Sequence, residues 1–106
     1  MELIEYTDRQ GKSPFAPWFA TIDTRAALKV RTAVGRIAHG HTSNVKSVGG
    51  GVMEYRLDYG PGYRIYFARR GDKLIILLAG GTKKRQQADI EAAQERWLDY
   101  KQRKGD

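Results

Sequence analysis

The sequence predicts an α+β domain in which a short N-terminal strand and two helices precede a three-stranded antiparallel meander and a C-terminal helix. Three observations carry that expectation. Residues 53–79 hold three strand-like runs separated by two glycine turns. Residues 13–40 hold two helix-start signals followed by helical apolar spacing. Helical spacing then returns from Gln87. Strands and helices grouped along the chain indicate an α+β layer arrangement rather than alternating βαβ units.

Residues 2–7 mix Leu3 and Ile4 with Glu2 and Glu5, a short strand acidic enough for a sheet edge. Ser13-Pro14 is a helix start, with the hydroxyl as N-cap and proline at the first helical position. A short helix over residues 15–22 is therefore expected, burying Trp18 and Phe19. Asp23 caps the next helix, where Ala27, Val30, Val34 and Ile37 recur at threes and fours up to Gly40. Its other face carries Arg25, Lys29, Thr32, Arg36 and His39, which reads first as a solvated face. His39 and His41 flank the terminating glycine, and a cap or loop role is expected for them. Residues 45–52, with Gly49-Gly50-Gly51, read as a connection.

The meander comes next. Met53, Tyr55, Leu57 and Tyr59 alternate with Glu54, Arg56 and Asp58, the period of two of a half-buried strand. Gly60-Pro61-Gly62 reverses the chain. A three-residue loop there pairs Tyr59 with Tyr63, Leu57 with Ile65 and Tyr55 with Phe67, forming one apolar face. The opposite face then gathers Glu54, Arg56, Asp58, Arg64 and Tyr66. After the turn Arg70-Gly71-Asp72, residues 73–79 are apolar on both faces and are expected at the centre of the sheet. Gly80-Gly81 releases the chain into a basic cluster, Thr82-Lys83-Lys84-Arg85, and Ile90, Ala93, Trp97 and Tyr100 then align on a last helix with a basic end.

At 106 residues the chain is sized for one domain spanning its whole length. It has no cysteine, which removes disulfide scaffolds and thiolate metal sites, and its histidines and carboxylates show no metal-binding spacing. Neither a metal nor any other cofactor is expected. The formal charge of +7 favours an anionic partner, nucleic acid above all. No apolar run approaches the ~20 residues that span a bilayer, and the opening Met-Glu-Leu-Ile-Glu lacks the basic start of a secretory signal. A cytoplasmic location with no membrane partner follows as an expectation.

Four segments together point to a family: Met53-Glu54-Tyr55-Arg56-Leu57, Gly62-Tyr63-Arg64-Ile65-Tyr66-Phe67, Leu77-Leu78-Ala79-Gly80-Gly81-Thr82-Lys83 and Gln87-Ala88-Asp89-Ile90. In these, and in element order over essentially the whole chain, the sequence resembles the RelE/ParE superfamily of type II toxin-antitoxin toxins. Within it, the phage Gp49-like and HigB-like branch is the most similar. The resemblance implies a small RelE/ParE-like domain and a ribosome-dependent mRNA endonuclease, a metal-independent mRNA interferase that inhibits translation. It also implies a cognate antitoxin carrying a helix-turn-helix DNA-binding domain, with the ribosome and mRNA as further partners.

Cleavage by 2'-hydroxyl attack needs the phosphate held in line, its growing negative charge stabilised and protons moved. The resemblance assigns phosphate binding to Arg64, whose planar fork suits two oxygens, and places a basic residue at Arg56. Some relatives have a lysine where Glu54 stands. Glu54 is then either the base or a carboxylate that orients Arg56. Lys83 matches the residue that stabilises charge or protonates the leaving oxygen. Tyr66, Lys84 and Arg85 are candidate RNA contacts, with a packed aromatic as the other reading of Tyr66. Several relatives carry Tyr or His just after the basic residue, where this chain has Lys84, Arg85, Gln86 and Gln87. Truncating Arg64 is expected to abolish activity without unfolding the domain. Two other functions are compatible with the sequence, a ParE-like gyrase inhibitor and a non-catalytic basic module that binds nucleic acid or protein.

Overall fold

The computed structural model describes residues 1–41 and 43–105. Its elements are β1 (Glu2–Glu5), α1 (Phe15–Thr21), α2 (Thr24–Ala38), β2 (Val45–Gly49), β3 (Val52–Leu57), β4 (Tyr63–Arg70), β5 (Leu74–Thr82), a 3-10 turn (Lys83–Arg85) and α3 (Gln86–Lys104). The strands form one mixed sheet ordered β1-β5-β4-β3-β2, with β1 parallel to β5 and the other neighbours antiparallel.

Side-chain alternation sorts the strands between two cores. On one face Tyr55, Ile65, Phe67, Ile75 and Leu77 meet Phe15 of α1 and Val30, Ala33 and Ile37 of α2. On the other, Val52, Tyr66, Ala68, Ile76 and Leu78 meet Ala93, Trp97 and Tyr100 of α3. The helical pair and the last helix therefore cover opposite faces of the sheet. Burial of the α3 contacts is the main support of that helix, since in proteins most helical stability comes from packing rather than from propensity.

Local signals set the helix starts. The Ser13 hydroxyl accepts from the Ala16 amide at 3.2 Å, and the Asp23 carboxylate accepts from the Ala26 amide at 2.8 Å. The buried stripe of α2 is Ala26, Val30, Ala33 and Ile37, with Val34 half-buried, so the helix is rotated slightly from the stripe expected. Trp18 and Phe19 pack against the core from half-buried positions.

Three expectations are corrected. First, residues 45–49 are a strand, not a connection. Three positive-φ glycines, Gly49, Gly50 and Gly51, turn β2 back onto β3, a conformation glycine adopts without a Cβ penalty. The strand escaped notice because only Val45 and Val48 are apolar in it, and an edge strand needs little more. Second, β3 and β4 pair as Leu57 with Tyr63, Tyr55 with Ile65 and Met53 with Phe67, two residues away from the expected register. Gly60 and Gly62 both take positive φ, and Tyr59 belongs to the wider loop, its carbonyl accepting from the Gly62 amide at 3.1 Å. A slip of two keeps every side chain on its face, so the two expected faces survive the error. Third, β4 rather than β5 occupies the centre, and its residues Tyr63 to Ala68 are all buried. β5 lies one strand in, covered on both faces as its composition requires.

Among the described residues no helix is long and apolar enough to cross a membrane. The end of α3 is tied to β1 by Tyr6, whose hydroxyl donates to Asp99 Oδ2 at 2.7 Å, while Arg103 Nε donates to the same oxygen at 3.0 Å.

Two stability outcomes follow. A Cβ on Gly80 would lie 2.1 Å from Trp18 Cε3, so Gly80→Ala is expected to lower stability by about 1–3 kcal/mol through overpacking. Denaturant unfolding checks it, and the loss should shrink in a Trp18→Leu background. The hydrogen bond from Tyr6, followed by the Arg103 charge, holds the Asp99 carboxyl below its ordinary value of 3.8. Its contribution is complete above the unfolded value and fades as pH falls through the lower, folded one. Stability should therefore drop below about pH 4, and Tyr6→Phe should flatten that drop in acid unfolding curves.

Candidate functional site

At the β3–β4 end of the face under α3, the apolar pattern is interrupted by charge. Glu54 of β3 is 1 % exposed and Arg64 of β4 is 5 % exposed. Register brings them together, because Glu54 faces Tyr66 and Arg56 faces Arg64 across the ladder, which makes Glu54 and Arg64 diagonal neighbours. Arg64 Nε lies 3.8 Å from Glu54 Oε1, and Lys46 Nζ of the neighbouring β2 reaches the same oxygen at 3.7 Å. Gln86, the first residue of α3, donates from Nε2 to Glu54 Oε2 at 2.8 Å. One buried carboxylate thus receives two cations and an amide from three different elements. Without them its desolvation would cost several kcal/mol, an order-of-magnitude figure of about 3–5 kcal/mol for an uncompensated buried charge.

The start of α3 is brought over this cluster by the backbone. The Lys83 amide donates to Gly62 O at 2.8 Å, pinning the 3-10 turn to the β3–β4 loop. Gly81 allows the next approach: a Cβ there would lie 1.9 Å from Asp89 Oδ2. Three buried atoms in this region have no hydrogen-bond partner among the described residues, namely Arg64 Nε, Tyr66 Oη and Asp89 Oδ2. Burial raises the Tyr66 hydroxyl well above its ordinary range, and the Glu54 carboxylate pushes it further. Charge from Glu54 reaches this hydroxyl although the two form no well-aligned hydrogen bond. Asp89 is also raised by burial, against the opposing pull of Arg85 and Arg96.

Glu54, Arg64 and Tyr66 of the expected site therefore come together, and the remaining candidates lie around them. Arg56 is exposed, with Nε 3.6 Å from Asp58. Lys83, Lys84 and Arg85 are exposed on the 3-10 turn. Lys83 adjoins Arg64 across Gly62, where a Cβ would lie 3.2 Å from both Arg64 Nη1 and Lys83 Cβ.

Two roles become narrower. Tyr66 is fully buried, so of its two readings, RNA contact and packed aromatic, the structure matches the packed one. Glu54 pairs with Arg64 and not with Arg56, whose carboxylate partner is Asp58. The side chains that sequence reasoning missed are Lys46, hidden in a segment read as a connection, and Gln86, one residue ahead of the expected helix start. Asp89 lay within the segments that carried the family resemblance but had no role attached.

Glu54 also borders a pocket of 150 Å³ lined by Asn44, Lys46 and Arg56 among others. Its contents are a carboxylate flanked by cations, a set able to accept a proton beside a bound anion. A more apolar pocket of 310 Å³ lies on the α2 face, lined by Ile37, Met53, Phe67 and Ile75 among others, with no carboxylate among the described residues that line it.

Removing one member of the buried pair should be costly. Glu54→Leu strands Arg64 and is expected to lose about 3–5 kcal/mol, whereas Tyr66→Phe deletes a buried hydroxyl without a partner and should lose no stability. Parallel urea titrations of the two variants check the contrast.

Residues 17–98 match the family described as phage derived protein Gp49-like (DUF891). An uncharacterized protein of Haemophilus influenzae (strain ATCC 51907 / DSM 11121 / KW20 / Rd) is 38% identical over 80 residues, covering 74% of this chain and 81% of that protein. The matched span runs from α1 to α3 and includes each of Lys46, Glu54, Arg56, Arg64, Lys83 and Gln86. The chain belongs to the phage-derived Gp49-like family, a RelE/ParE-like toxin family of toxin-antitoxin systems.

Proposed function

We propose that this toxin cleaves mRNA in the translating ribosome and so arrests translation in the cytoplasm, until its antitoxin, a helix-turn-helix protein, neutralises it. The observation that carries this reading is the Glu54 carboxylate, fixed by Lys46, Arg64 and Gln86 at the wall of a small pocket edged by Arg56. Beside a pocket edged by cations, that carboxylate is placed to accept a proton next to a bound phosphate.

In the proposed reaction Glu54 accepts the proton of a ribose 2'-hydroxyl as its oxygen attacks the adjacent phosphorus. The bond from phosphorus to the 5'-oxygen breaks, leaving a 2',3'-cyclic phosphate, and the departing oxygen takes a proton from water or from the Lys83 ammonium. Arg56 and Lys83 neutralise the phosphoryl oxygens, while Arg64, to which the resemblance gave phosphate binding, is almost wholly buried against Glu54 and holds it in place instead. Lys84 and Arg85 contact the flanking backbone. A positioned proton acceptor is worth about 10²–10⁴-fold. The ribosome supplies in-line geometry, and alignment of that kind contributes roughly 7–11 kcal/mol.

The buried position of Arg64 changes which variant tests the reading. Arg64→Ala strands the Glu54 carboxylate, so loss of activity there would be mixed with loss of fold. Lys83→Ala and Arg56→Ala alter exposed side chains, and stability should stay within about 0.5 kcal/mol of the parent. Each is expected to slow mRNA cutting in a translating complex by about 10²–10³-fold, while the parent leaves naked RNA nearly intact. Equal cutting by parent and variants would remove these residues from the mechanism. Inhibition of DNA supercoiling with translation intact would replace the reading by a gyrase inhibitor.

A further inference from the structure

Helix α2 ends at Ala38, the chain leaves it at Gly40 with a φ of 79°, and the apolar pocket of 310 Å³ lies against that end. Of its lining, Ile37, Phe67 and Ile75 are buried and Val45 and Met53 half-buried, while His41 and Arg69 are exposed. Arg69 stands opposite Ile75 in the β4–β5 ladder, so its side chain leaves the sheet on the pocket's face. It has no carboxylate partner among the described residues. None of the buried polar atoms without a partner belongs to this lining. The pocket adjoins the Glu54 pocket at the sheet edge and shares Val45 with it.

We propose that this pocket binds a medium-chain fatty carboxylate, with the alkyl chain among Ile37, Met53, Phe67 and Ile75 and the carboxylate on the Arg69 guanidinium. Those four side chains carry no nitrogen or oxygen, so they select a chain that has no polar group to leave unsatisfied. The flexible thioether of Met53 adapts to a flexible ligand. A volume of 310 Å³ falls at the lower end of the range of roughly 300–1,000 Å³ in which proteins hold small molecules. The planar guanidinium of Arg69 takes both oxygens of one carboxylate. A nucleic-acid backbone brings the anion without the chain, and a fatty alcohol brings the chain without the anion. Binding here does not rest on the toxin reading, because Glu54, Arg56, Arg64 and Lys83 are all outside this lining.

The test is titration calorimetry of the intact protein with hexanoate, octanoate and decanoate, each below its aggregation concentration. Decanoate should fill one saturable site per chain, and each added pair of methylenes should tighten binding about tenfold. Decanol should bind more weakly than decanoate by about tenfold or more. Arg69→Gln should remove that preference and leave the decanol affinity as in the parent. Arg25→Gln, which lowers the net charge equally at an exposed position of α2, should change neither. Val45→Phe, which fills the pocket, should weaken both ligands with unchanged circular dichroism; if it fails to fold, the contrast between the two arginine variants decides. Uptake without saturation, equal losses in both arginine variants, or capture by phosphatidylglycerol vesicles with no binding of monomeric decanoate would overturn the proposal.

Discussion

The interaction on which the rest depends is the pairing of Glu54 with Arg64 beneath the first turn of α3. A carboxylate and a guanidinium that are both almost wholly out of water are tolerated only when each is compensated. Compensation here draws on every neighbouring element: Lys46 from β2, Arg64 from β4 and Gln86 from α3. The sheet edge, the central strand and the last helix are thereby locked to one another at one point. The 3-10 turn pinned to the β3–β4 loop and the close approach of Gly81 to Asp89 bring the start of α3 over the pair. A buried pair of this kind is weak evidence for added stability, and its position at a pocket is better understood as preorganisation for chemistry.

The two faces of the sheet have separate duties. The α3 face combines an apolar core around Trp97 and Tyr100 with the charged cluster at one end. The α1 and α2 face is apolar throughout its buried part and turns basic only on the outside of α2.

Much of this was legible in the sequence because side-chain alternation is insensitive to errors of two. Pairing Tyr55 with Phe67 instead of Ile65 was wrong, yet Glu54, Arg64 and Tyr66 still shared a face. The helices were legible through Asp23 and Ser13, whose side chains cap as their positions suggest. What the sequence hid was depth and long-range contact. Nothing local marks Arg64 as buried, because its surroundings include Glu54 of β3 and the 3-10 turn at Lys83, nearly twenty residues further on. Lys46 was invisible for a different reason: its strand has too few apolar residues to show a period and exists only by pairing with β3.

The central claim is that Glu54 accepts a proton during mRNA cleavage on the ribosome. It is tested most directly by mapping the ends of an mRNA cut within a translating complex, with the parent and with the isosteric Glu54→Gln variant. The account predicts 2',3'-cyclic phosphate ends from the parent and cutting slower by about a hundredfold or more from the variant, at matched folding. Undiminished cutting by Glu54→Gln, or ends that carry no cyclic phosphate, would contradict it.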